Sequence, residues 1–143
     1  MNREIKFRAW DNVNNQMLDV QELNFEDCFY GGYTTVRTTM YSDYFDIREM
    51  PIMQYTGLHD KNGKEIYEGD IVLLDCYSYE EPVLGGKFKV IYDDINGMWL
   101  LVDLENKDRS FTFGDIKSYY RTEIEVIGNI YDNSKLLGGT NGI

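Results

Sequence analysis

Apolar and polar residues alternate along EIKFRAW, residues 4–10. Ile5, Phe7 and Ala9 fall on one face and Lys6, Arg8 and Trp10 on the other, the period of a half-buried strand. DNVNNQ then supplies Asp and Asn for a turn, and residues 17–20 return as a second strand. In residues 22–33, ELNFEDCFYGGY fits either one helical turn or more strand, and Gly31–Gly32 interrupts it. TTVRTTMYSDYF is rich in Thr and Tyr, which suits strand or ordered loop. The least regular structure of the chain is expected over residues 21–50.

From residue 51 the pattern is clearer. Residues 53–56 read as a short strand. Asn62–Gly63 predicts a type I′ hairpin, and Glu68–Gly69–Asp70 a second tight turn. In IVLLDCY, Ile71, Leu73 and Asp75 face one side and Val72, Leu74 and Cys76 the other, with burial on both faces at the start. SYEEPVLGG reads as a loop. KFKVIY reads as a strand with Phe88, Val90 and Tyr92 inward. Asn96–Gly97 is a second Asn-Gly turn, after which Met98, Leu100, Val102 and Leu104 share a face. A short strand follows at residues 110–113. Asp115 is expected to cap a helical turn reaching Tyr119. EIEVIGNIY is expected to close the strands, Asn133 to cap a final turn through Leu136 and Leu137, and GGTNGI to form a frayed tail.

Many short strands with glycine turns and little helix predict a mainly β protein. The expected organisation is an N-terminal β extension with an irregular segment over residues 1–50, a small SH3-like β-barrel domain over 51–137, and a tail at 138–143. The chain has 143 residues, of which 43% are hydrophobic and 15% aromatic, enough to build a core.

Charge removes several function classes. The formal net charge is −11, with 9 acidic and 5 basic side chains in residues 1–50 and 16 and 9 in residues 51–143. Such a chain repels phosphate backbones and anionic membranes, so neither direct nucleic-acid binding nor membrane association is expected. The one basic group, Arg3, Lys6 and Arg8, reads as a solvated strand face. The N-terminal residues hold no apolar run long enough for a signal peptide or membrane span, and two isolated cysteines, Cys28 and Cys76, make no disulfide framework. A cytoplasmic protein with reduced thiols is expected.

The candidate chemistry is thin. In a calcium loop begun at Asp60, glycine falls at the fourth position rather than the sixth, and Ile71 stands where a bidentate Glu is needed. One histidine, His59, and two cysteines make no usual zinc set. His59 adjoins the Asn-Gly turn and reads as a solvated residue. The carboxylate pairs Glu80–Glu81, Asp93–Asp94 and Asp103 with Glu105 read as loop residues rather than an acid–base pair. Gly31–Gly32, Gly85–Gly86 and Gly138–Gly139 are adjacent pairs, not the spaced pattern that cradles phosphate. No catalytic residue, metal or cofactor is expected, and the chain reads as a non-enzyme.

Three blocks carry a family resemblance: IKFRAWD, MPIMQYTGLHDKNGKEIYEGDIV, and EIEVIGNIYDN with the LL that follows. Together they resemble the YopX family of small phage and prophage proteins. The resemblance implies a mostly β fold with an SH3-like barrel and a phage product acting inside an infected bacterium. It implies no activity and transfers no site residue.

Aromatics offer the remaining hint. The chain has 12 Tyr, 7 Phe and 2 Trp, and such rings anchor interfaces. Tyr30, Tyr33, Tyr41, Tyr44 and Phe45 crowd one polar segment broken by glycine, and Tyr119 and Tyr120 flank the short helical turn. These seven are the candidate interface residues. The expected function is a protein-binding module acting on a host or phage protein, with homo-oligomerisation as a further option. The alternative is an acidic decoy that mimics DNA for a host DNA-binding protein.

Overall fold

The computed structural model describes residues 3–132. The expected cap at Asn133 and the tail at 138–143 lie outside them. Strand far outweighs helix, and the described residues divide into two compact units on either side of the Tyr55–Thr56 bond.

The first unit holds β1 (Phe7–Asp11), β2 (Gln16–Asp27), a 3₁₀ turn (Cys28–Tyr30), β3 (Tyr33–Thr38), β4 (Phe45–Asp46) and the start of β5 (Ile52–His59). Its strands lie in the order β4-β3-β2-β1-β5, all antiparallel, with Ala9 opposite Leu18 on one side and Ile52 on the other. Ala9, Val36 and Met50 form its buried centre, and Val20, Leu23, Tyr41, Phe45, Ile47 and Ile52 pack around them. Two expectations change here. The second strand runs seven residues beyond Val20, to Asp27, because two bulges let it keep pairing with β3 while it bends. Trp10 is buried rather than on the polar face, while Ile5 is exposed.

The second unit holds the end of β5, β6 (Glu65–Tyr67), β7 (Asp70–Ser78), β8 (Glu81–Asp93), β9 (Met98–Asp103), β10 (Ser110–Thr112), α1 (Phe113–Lys117) and β11 (Arg121–Asn129). A five-stranded antiparallel sheet runs β10-β9-β8-β7-β11. Among the described residues β10 and β11 each pair on one side only, an open order rather than a closed barrel. Val72, Leu74, Cys76, Phe88, Val90, Leu101 and Ile116 are completely buried, and Leu58, Trp99, Phe111, Tyr119, Ile124 and Val126 pack against them. Phe88 alone stabilises this core by about 3 kcal/mol on apolar burial.

The turns depart from the expected type. At Asn62–Gly63 only Gly63 has positive φ (83°), so the turn is not type I′. The Gly63 N–H instead donates to Asp60 O, and the Asp60 N–H to Lys64 O, which makes a type I turn closed by a left-handed glycine. Only Gly97 is left-handed at the second Asn-Gly pair as well. SYEEPVLGG is mostly strand. Pro82 pairs opposite Tyr77 beside a bulge, where the missing N–H is tolerated. Gly85 follows because a Cβ there would meet Leu74 O at 3.2 Å. Tyr92 is turned outward, and β9 buries Leu101 and Asp103 rather than the Leu100 face. The cap of α1 is Thr112: its hydroxyl accepts from the Asp115 N–H while the Asp115 carboxylate accepts from the Thr112 N–H.

Candidate protein-interaction surfaces

Six aspartates are buried: Asp11, Asp27, Asp46, Asp60, Asp70 and Asp103. Each accepts a backbone N–H close by in sequence. Asp11 takes Val13, Asp27 takes Phe29, Asp46 takes Arg48, Asp60 takes Asn62 and Asp103 takes Glu105, all two residues on. Asp70 takes the Tyr67 N–H. These carboxylates fasten turns.

Asp11 is the most heavily engaged. It accepts the Val13 and Asn14 N–H groups, the Asn14 and Gln16 side-chain amides, and the Tyr41 hydroxyl at 2.7 Å. The Tyr41 hydrogen bond leads in holding its pKa down to about 2, against burial, which pushes it up. Burial pushes Asp60 up too, but hydrogen bonds from Val126, Lys64 and Asn62 outweigh it and leave the carboxyl below its ordinary range. Cys76 is fully buried and burial raises its thiol pKa, while Cys28 is exposed; both are free. His59 is exposed at the end of β5. Lys6 pairs with Glu4 at 3.6 Å, as expected of a strand face.

The seven candidate interface residues separate. Tyr41 and Phe45 meet edge to face, 5.6 Å between centroids, and pack on the first unit's core. The Tyr44 hydroxyl donates to Glu22, and the Tyr30 hydroxyl to the Tyr44 carbonyl. Tyr33 is half exposed, with the Arg48 guanidinium carbon 3.5 Å from its ring centroid. Tyr119 packs on the second unit's core, whereas Tyr120 is exposed.

Two surfaces emerge, one in each unit. In the first, Phe29 stands 91% exposed on the 3₁₀ turn, and with Tyr30 and Tyr44 it lines a recess of about 480 Å³ that also includes Asp27 and Asp43. Gly31, left-handed at φ 69°, ends that turn and leaves Phe29 at its outer end. Phe25, on β2, is also exposed. In the second unit, Tyr79 and Tyr120 are stacked, 4.8 Å between centroids, above a recess of about 550 Å³. Sequence reasoning missed Phe25, Phe29 and Tyr79. Phe29 could have been found from its place before Gly31–Gly32, a glycine pair that stops a turn before it can bury the ring.

The model of the YopX protein family matches residues 6–138. No curated protein matches the chain. The crystal structure of protein EF1440 from Enterococcus faecalis is similar at 27% identity and TM-score 0.57, over 95% of this chain and 99% of that one. The crystal structure of protein yopX from Bacillus subtilis is similar at 21% identity and TM-score 0.58, over 92% and 96%.

Proposed function

This chain belongs to the YopX family, and from that premise we propose that it is a non-enzymatic protein-binding module, encoded by a phage or prophage, that acts on a host or phage protein in the bacterial cytoplasm. The observation that carries this reading is Phe29, an aromatic ring left 91% exposed beside Tyr30 and Tyr44. A large ring held in water beside a recess gains apolar burial when a partner covers it, and such rings dominate binding energy at interfaces. The non-enzymatic reading draws on the use of the buried aspartates as turn fasteners and on the burial of Cys76.

The second unit is read as SH3-like. Its strand order β10-β9-β8-β7-β11, with α1 placed between β10 and β11, is the order of a five-stranded meander whose last strand returns beside its first. The acidic-decoy reading is the weaker alternative. A DNA mimic needs its carboxylates in a surface array at roughly 7 Å spacing, and six of the aspartates are buried.

The test is capture from nuclease-treated host lysate with tagged wild-type protein and a Phe29→Ala variant. The exposed ring supports no fold, so the variant should melt with wild type. Loss of one specific partner in the variant supports the reading. An unchanged set of captured proteins, or turnover of a substrate that depends on His59, ends it.

A further inference from the structure

A second surface lies in the other unit and is independent of Phe29. Ser78 and Glu81 face each other across the β7–β8 ladder, which leaves Tyr79 and Glu80 as the two turn residues. Tyr79 takes φ 60°, a left-handed conformation that disfavours a side chain and suits glycine at such a turn. The strained residue is 71% exposed, so core packing does not account for its ring. That ring is stacked on Tyr120, which is exposed to the same degree, with the two planes 29° apart. Glu80, Glu81 and Arg121 complete the recess. Arg121 is engaged elsewhere, 4.0 Å from the ring centroid of Tyr77 on β7 and 4.0 Å from Glu123 on its own strand, while Glu80 sits in the turn and Glu81 opens β8.

We propose that the Tyr79–Tyr120 recess is a docking site for a proline-rich segment of a partner protein, in polyproline II conformation and carrying a basic residue. The occupant follows from the chemistry of the lining. Flat exposed rings pack against proline rings, and a polyproline II backbone makes no internal hydrogen bonds, so its carbonyls are open to phenol hydroxyls. A helix has already used those carbonyls. Glu80 and Glu81 select a partner that brings Lys or Arg, and the chain's charge of −11 steers it in.

The test uses the full chain and a fluorescent proline-rich peptide of about ten residues with terminal arginines, long enough to span roughly 30 Å as polyproline II. Three further peptides serve as controls: one with alanine for every proline, one with glutamate for arginine, and a scrambled one. Saturable binding is expected, weakened at least tenfold by alanine for proline or by glutamate for arginine. Tyr79→Gly removes the ring and relieves the backbone, so it should abolish binding while melting no lower than wild type. Tyr120→Phe should bind within a few fold of wild type, and Tyr120→Ala should not bind. Absence of saturable binding overturns the proposal. So does equal binding of the alanine peptide, or binding unaffected by Tyr79→Gly. Self-association of the free protein that Tyr120→Ala abolishes would assign the recess to a second copy of the chain instead.

Discussion

Asp11 accepts five hydrogen bonds, and the one from Tyr41 bridges two segments far apart in sequence. A carboxylate so surrounded is favoured in its charged form, which is why its pKa falls from 3.8 to about 2. A depressed folded-state pKa contributes stability in full above the unfolded value near 3.8, and that stability is lost as pH falls through about 2. Tyr41→Phe should therefore cost about 1 kcal/mol at neutral pH. Thermal melts of both proteins from pH 6 down to 2 should show the difference shrinking below pH 4, and a difference constant with pH would contradict this role. Glu26 makes a contrasting case. It is exposed in a β2 bulge at φ 54°, where glycine carries no Cβ penalty. Glu26→Gly should raise stability by about 1 kcal/mol, read as a higher urea midpoint.

At the scale of elements, the β5–β6 turn depends on Asp60 more than on Asn62. Its carboxylate accepts the N–H groups of Asn62 and Lys64 within the turn and of Val126 on β11. Asp60→Ala leaves three donors without that acceptor and should cost about 3 kcal/mol in denaturant unfolding. Lys61→Ala, which removes ion pairs of 3.8 Å to Glu123 and Glu125 on the exposed rim, should cost under about 1 kcal/mol. Asp60 also marks the limit of sequence reading. The Asn-Gly dipeptide located the turn, but the turn type was set by a side chain reaching into it from Asp60 and by β11, 66 residues away for Val126. The alternation of Val72, Leu74 and Cys76 was legible because one face meets a single core. The strand at Pro82 was not, because a bulge at Val83, next to it on β8, accommodates a residue that ordinarily ends pairing. For the candidate surfaces, composition pointed to aromatics, of which Tyr30, Tyr33 and Tyr120 are exposed. It could not separate Tyr41 and Phe45, which pack on a core, from Phe29, which does not. Exposure depends on which neighbours fold back over a ring, and spacing within a polar segment does not encode that.

At the scale of the whole molecule, charge and aromatic surface make opposite demands on a partner. A net charge of −11 acts over about 10 Å at 0.1 M salt and fades as salt rises, whereas apolar burial strengthens or holds. The account assigns binding to exposed rings, with charge speeding encounter. A decoy would bind through charge. The two solved structures are similar to this chain across nearly their full lengths. The most direct measurement is retention of the captured host or phage partner by tagged wild-type and Phe29→Ala protein as salt is raised from about 0.05 to 0.5 M, a range over which charge screening tightens several-fold. The account predicts that wild type keeps its partner at high salt and that Phe29→Ala loses it at every salt concentration. Release of the partner from wild type by salt alone, with Phe29→Ala indistinguishable from wild type, would contradict it.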